Sequence, residues 1–176
     1  MSSHVRILGV DPGSRITGFG LIDLSGSQFS MIDSGTIRCV QNTFAERLYY
    51  VYQRLTAIIE QHVPTEAAVE QVFTKINPGA ALKLGQARGA ILTALAQYQL
   101  PIAEYAPRVI KKSVVGYGAA DKQQVQQMVR LLLSLRQAPA VDAADALAIA
   151  MCHANHRALA SRSPSVVPQS KGARRL

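Results

Sequence analysis

Cysteine is nearly absent. Cys39 and Cys152 are the only two, they lie far apart, and neither belongs to a Cys-x-x-Cys pair. A disulfide framework is therefore excluded, and a reduced, cytoplasmic protein with two incidental thiols is expected. No stretch reaches the ~18 consecutive apolar residues that a membrane span needs. The N-terminus lacks a secretory pattern, because the apolar stretch Val5–Val10 is short and contains Arg6. No internal repeat and no second domain is visible. Acids are scarce as well: 11 Asp and Glu stand against 19 Lys and Arg, for a net charge of +8. That excess favours a polyanionic partner, usually nucleic acid; an anionic membrane surface would suit the same charge.

A 48% hydrophobic composition over 176 residues supports one globular domain with a substantial core. The domain is expected to span residues 1–158, and residues 159–176 form a disordered basic tail. From Ser161 to Leu176 there are four cations (Arg162, Lys171, Arg174, Arg175), no acid, and too little apolar material for a core.

The stretch Ile7-Leu8-Gly9-Val10-Asp11-Pro12-Gly13-Ser14-Arg15 reads as a buried strand that ends on a carboxylate and turns sharply. Alternation puts Val5, Ile7, Gly9 and Asp11 on one face. Pro12-Gly13 is turn chemistry. Asp11 then stands at the C-terminal lip of a strand, where sheets covered by helices tend to place their chemistry. Taken alone, it reads more simply as the opening of an Asx-type turn before Pro12.

Two further strands follow, Ile16–Leu24, with Gly18 and Gly20 keeping one face small, and Gln28–Val40, bending near Ser34-Gly35. Thr43-Phe44-Ala45-Glu46 is a capping box. The helix it opens carries Phe44, Leu48, Val51, Leu55, Ile58 and Ile59 at helical spacing to about Gln61. Tyr49, Tyr50 and Tyr52 read as edge-of-core packing. Glu66–Gln71 is a strand with Ala68 and Glu70 on one face. A helix, Pro78–Gln97, follows the cap Asn77 and contains Gly85-x-x-x-Gly89; its close contact is the sheet by default, a second subunit or DNA otherwise. Pro101–Tyr105 is a fifth strand and Pro107–Val115 a short helix. Asp121 caps a helix to Arg136 with Val125, Met128, Val129, Leu132 and Leu135 inward, and the last helix runs from Asp142 to about Arg157. The order implies an α/β fold, a five-stranded mixed sheet flanked by helices.

Asp142 and Asp145 are three apart in the first turn of that last helix and share a face. Capping explains Asp142 but explains Asp145 less well. The alanines of Asp142-Ala143-Ala144-Asp145-Ala146-Leu147-Ala148 allow close packing onto the sheet face cleared by Gly9 and Ala68, each two residues before an acid. Asp11, Glu70, Asp142 and Asp145 would then form one cluster. Clustered carboxylates resist ionising unless cations neutralise them. Hard oxygen ligands without a His/Cys set select Mg²⁺ or Mn²⁺, and two such ions suit phosphodiester hydrolysis.

Gly9-Val10-Asp11-Pro12-Gly13-Ser14-Arg15-Ile16-Thr17-Gly18, Val69-Glu70-Gln71-Val72-Phe73, Ala81-Leu82-Lys83-Leu84-Gly85-Gln86-Ala87-Arg88-Gly89 and the Asp142–Ala148 block resemble the signature blocks of the RuvC crossover junction endodeoxyribonucleases, in order, from about Arg6 to about His156. The resemblance implies a ribonuclease H-like fold and a homodimer. It implies Mg²⁺-dependent resolution of four-way (Holliday) junctions by paired symmetric nicks, with 5′-phosphate ends and a short T-containing cleavage sequence. It also implies work beside the RuvA–RuvB branch-migration complex. Asp11, Glu70, Asp142 and Asp145 match the family's four catalytic, metal-binding acids. Phe73 matches its aromatic at the junction centre, where base stacking is typically worth about 1–3 kcal/mol. Lys111 and Lys122 match lysines near the active site.

Arg15, Lys83 and Arg88 are further candidates for DNA contact, and the helix with Gly85 and Gly89 is the candidate dimer interface. A two-fold junction needs two active sites, which a C₂ dimer supplies. Ser14 has no Ser-His-Asp arrangement around it. His153 and His156 read as solvated, and Asp23, Asp33, Glu46, Glu60 and Glu66 as turn, cap or surface acids. The competing functions are another ribonuclease H-like nuclease acting on RNA, hybrids or flaps, and a junction-binding module with a dead site. An actin-like ATPase would need a second lobe and a later Gly-rich phosphate loop.

Overall fold

A computed structural model of the chain describes residues 5–71 and 77–162. Five strands, β1 (Val5–Asp11), β2 (Ile16–Ser25), β3 (Gln28–Arg38), β4 (Glu66–Glu70) and β5 (Ile102–Tyr105), form one sheet in the order β3-β2-β1-β4-β5. β1, β2 and β3 are joined by short turns and run antiparallel; β4 pairs parallel to β1 and β5 parallel to β4. The mixed sheet expected from the element order is present. The irregularity in the second hairpin falls opposite Leu21 and Ile22, where Ile32 is passed over between Asp33 and Met31. It is a bulge there, not a bend at Ser34-Gly35.

Helices α1 (Phe44–His62) and α2 (Pro78–Gln97) cover one face. Their Val51, Leu55, Ile58, Ile59, Ile91 and Leu95 pack with Leu8, Val10, Leu21 and Val69. The Thr43 capping box starts α1 as its sequence dictates, and Val63 ends it in the left-handed region. The opposite face holds α3 (Pro107–Val115), α4 (Lys122–Leu132) and α5 (Val141–Arg162) over Ile7, Ile22 and Ala68. α4 stops four residues short of Arg136, because the chain reverses through Ser134 at φ 51°. That reversal turns Leu133 into the core and leaves Leu132 exposed. α5 continues to Arg162, so residues 159–162 are helical rather than tail.

α5 is the central contact of the fold. It crosses β1 and β2 where Gly9 and Gly20 face each other across the ladder. A Cβ on Gly9 would stand 2.1 Å from the Ala146 carbonyl oxygen, and one on Gly18 would stand 2.0 Å from that of Asp142. Small residues in the strands and alanines in the helix bring two backbones into contact.

A polar network fastens the far end of α5. Tyr105 Oη and His153 Nδ1 are 2.8 Å apart, His153 Nε2 is 2.8 Å from Glu66 Oε2, and Arg157 Nε donates to Glu66 Oε1 at 2.8 Å. His153 is thus a half-buried bridge rather than a solvated residue, and Glu66 is its partner rather than a surface acid; the ring of His156, exposed as expected, lies against Tyr105. Asp23 is likewise paired, with Arg6. Burial pushes the Glu66 carboxyl up, but the hydrogen bonds from Arg157 and His153 outweigh it and hold Glu66 below its ordinary value. Stability from this pairing is present above the unfolded pKa of about 4.5 and is lost as pH falls through the lower folded value. Glu66→Gln is expected to cost about 1–3 kcal/mol at pH 7. Its deficit in thermal unfolding should shrink steadily below pH 4.

Candidate active site

The register that pairs Val10 with Val69 sets Asp11 and Glu70 side by side at the ends of two parallel strands. Parity puts both on the face under α5, with Gly9 and Ala68. α5 begins over this lip, and its first turns supply Asp142 and Asp145. Carboxylate oxygens of Asp11, Asp142 and Asp145 all lie within 4.8 Å of one another. Glu70 stands beside Asp11, next along the sheet lip, outside that group of three.

Three of these acids, Asp11, Glu70 and Asp145, open with Lys111 and Lys122 on a cavity of about 250 Å³ whose floor includes Ile110, Val125 and Ala148. Lys122 Nζ stands 3.2 Å from Asp145 Oδ2. The two lysines come from α3 and α4, and both helices are tied to the frame. Asn155 of α5 donates to Ser113 Oγ at 3.1 Å, and Gln126 donates to the Pro139 carbonyl at 2.7 Å, just ahead of α5. Asp121 caps α4 with a reciprocal bond to Gln124, fixing the turn that carries Lys122. The sequence gives no signal for Ser113, Gln126 or Asn155, because their partners are remote in the chain.

Burial, then the charges of Glu70 and Asp145, push the Asp11 carboxyl up to about 8, against a smaller pull from Lys122. Burial also raises Glu70 and Asp145, and Lys122 opposes the rise at Asp145. Asp145 in turn raises Lys122. The metal-free cluster is thus short of positive charge. Three carboxylates at this spacing, with a fourth alongside and no nitrogen or sulfur donor among them, fit a hard divalent cation.

The other candidates are placed differently. Arg15 and Lys83 come together with Ser14, Asn42, Phe44 and Arg47 around a separate pocket. Arg88 does not line the acidic cavity; it is ion-paired with Glu104 of β5. Phe73 belongs to residues 72–76, outside the described residues. Gly85 and Gly89 do not touch the sheet, the default contact: a Cβ on either would meet open space, and α2 instead buries Ala87, Ile91, Ala94 and Leu95. Tyr49 is exposed and stacked on Tyr52, at the edge of the α1–α2 face. Both cysteines are buried free thiols. Among the described residues no helix is long and apolar enough to cross a membrane.

Comparison with known proteins gives a consistent result. The sequence model of the family described as "Crossover junction endodeoxyribonuclease RuvC" matches residues 7–153. A crossover junction endodeoxyribonuclease RuvC of Acinetobacter baumannii is 56% identical over 149 residues, covering 85% of this chain and 82% of that protein. The one of Halorhodospira halophila is 52% identical over 171 residues, 97% of this chain and 99% of that protein. Thermus thermophilus RuvC in complex with Holliday junction substrate superposes with a TM-score of 0.84 at 31% identity, covering 90% of this chain and 98% of that one. The yeast mitochondrial Holliday junction resolvase Ydc2 shares the fold (TM-score 0.65) at 12% identity, over 88% of this chain and 79% of that one. By the family model and by these relatives, the chain belongs to the RuvC family of crossover junction endodeoxyribonucleases.

Proposed function

We propose that this protein resolves four-way DNA junctions by hydrolysing one phosphodiester in each of two opposed strands. The observation that carries this reading is the convergence of Asp11, Glu70, Asp142 and Asp145 from β1, β4 and α5 beside Lys111 and Lys122, in a member of this family. Asp11, Asp142 and Asp145 would hold divalent ions, with Glu70 completing the set; two ions and Mg²⁺ are the assignment, with Mn²⁺ able to replace it. Bound there, the ions supply an activated water and charge stabilisation at the departing oxygen.

The protein's own groups set the conditions. The close packing of α5 on the glycines fixes the spacing of the acids. Lys122 pairs with Asp145 and opposes the rise that burial imposes on it, and Lys111 faces the same cavity, where either lysine neutralises a phosphate. Cleavage of the P–O3′ bond leaves a 5′-phosphate and a 3′-hydroxyl. Phe73, following the Glu70 strand, is assigned to stacking at the junction centre.

Two-fold substrates call for a homodimer, and α2 is its proposed interface. The N-terminal half of α2 is apolar yet largely exposed: Leu82 is 65% accessible, and Gly85 and Gly89 border open space. The working site is the cytoplasm at the nucleoid, beside RuvA–RuvB.

A synthetic mobile four-way junction with Mg²⁺, beside duplex, flap and RNA–DNA hybrid substrates and an EDTA control, tests this reading. Paired symmetric nicks confined to the junction and lost in EDTA are expected, with a dimer in sedimentation at micromolar protein. Cutting of the hybrid would retain the carboxylate site and overturn the substrate. Binding without cutting would overturn the catalytic role.

A further inference from the structure

The pocket formed by Arg15, Arg47 and Lys83 with Ser14, Asn42 and Phe44 lies outside the acidic cavity. Its three cations come from three segments: the turn after Asp11, the first turn of α1, and α2 near its start. Among the described residues none of the three enters an ion pair. Three unpaired cations repel one another, so their convergence calls for an anion.

The pocket is also built. Arg47 is half-buried, and its Nε donates to the Gln41 carbonyl at 2.8 Å, which aims the guanidinium. The Arg15 carbonyl accepts from Cys39 N–H at 2.9 Å, and Thr17, fully buried, donates from Oγ1 to the Gly13 carbonyl at 3.1 Å. The turn carrying Arg15 is held from both ends. The same turn begins at Asp11. Arg15 is four positions from Asp11, so their Cα atoms are at most about 14 Å apart. That is a span of only a few nucleotides along one strand.

We propose that Arg15, Arg47 and Lys83 form a second phosphate-binding subsite, which seats the sugar-phosphate backbone a few nucleotides from the scissile bond. The inference rests on the junction-cleaving function above. The occupant is a backbone phosphate of the strand being cut, held by charge and by the fork of Arg47. Contacts to phosphate position a substrate without reading its sequence. These three are therefore positioning residues: they set where the strand lies across the acids.

The test is junction binding by the full chain in Ca²⁺ at several salt concentrations, together with Mg²⁺-dependent cleavage kinetics. Lys83→Gln, Arg15→Gln, Arg47→Ala and Arg47→Lys are compared with the wild type, with unfolding melts and sedimentation checking fold and oligomeric state. Each loss of charge is expected to flatten the slope of log K against log[salt] by about one, equally for good and poor cleavage sequences. Arg47→Lys should keep the slope. KM for the junction should rise, with kcat within about threefold of the wild type. Lys83 is exposed, so Lys83→Gln is decisive should Arg47→Ala fold poorly. A normal slope for folded Lys83→Gln and Arg15→Gln would overturn the subsite. A wild type that neither prefers nor cuts the junction would overturn the underlying function instead.

Discussion

Asp11→Asn is expected to abolish junction cutting, by at least about 10⁴-fold in kcat, while leaving junction binding within a few-fold of the wild type. That loss is the scale seen when one member of a tightly coupled catalytic unit is removed. Asp11 is the most perturbed acid of the cluster, pushed up to about 8 by burial and by Glu70 and Asp145. Its folded pKa is raised above the unfolded value near 3.9. In the metal-free protein its neutral form therefore favours folding at low pH, and that stability is lost as pH rises from about 4 through about 8. Removing the charge removes this penalty. Asp11→Asn should then unfold at a higher temperature than wild type at pH 8 in EDTA, although it is inactive. A cation must displace the proton, so metal affinity should increase as pH rises toward 8. At a hundredfold excess over Kd, Mg²⁺ should raise the wild-type Tm by about 5–10 °C. The rise should be small in the variant and small for the wild type at pH 5. Normal cleavage by Asp11→Asn would remove Asp11 from the catalytic set; an unchanged melt at pH 8 would show that the acids do not strain one another.

Gly9→Ala is the second large effect. The added Cβ would stand 2.1 Å from the Ala146 carbonyl oxygen and 2.7 Å from the Ala150 nitrogen, both backbone atoms of α5 that no rotamer change can move. Overpacking costs about 1–3 kcal/mol in ordinary cores, and backbone contacts on this scale belong at the upper end. A Tm about 6–12 °C lower is expected for a chain of this size. The functional loss should exceed the stability loss. Relief comes by lifting α5 from the sheet, which carries Asp142 and Asp145 away from Asp11 and Glu70. Assays well below the variant's Tm, where the protein is fully folded, should still show cleavage reduced about 10²-fold, the order expected for an ångström-scale misplacement. Gly85→Ala is the control: it meets open space in the single chain and should not lower its Tm. A Gly9→Ala protein with wild-type melting would mean that the helix does not rest where the glycines allow.

The sequence by itself determined the order of the elements and which acids could share a face. Strand alternation fixed the faces of Asp11 and Glu70, and the three-residue spacing of Asp142 and Asp145 fixed theirs, because local geometry alone sets both periods. The glycines and alanines signalled close packing, and the capping box at Thr43 set the start of α1. These are short-range properties. Tertiary structure decided what depends on partners remote in the chain. It set Glu70 against Asp11 rather than within the three-carboxylate group, through the parallel register of β1 and β4. It turned His153 inward by giving it Glu66 and Tyr105, and took Arg88 to Glu104. It left Gly85 and Gly89 facing outward, because α2 buries the stripe through Ala87, Ile91 and Ala94 instead. It also gathered Arg15, Arg47 and Lys83 into one pocket. A charge pattern has no period to read; only the path of the backbone decides which cations meet.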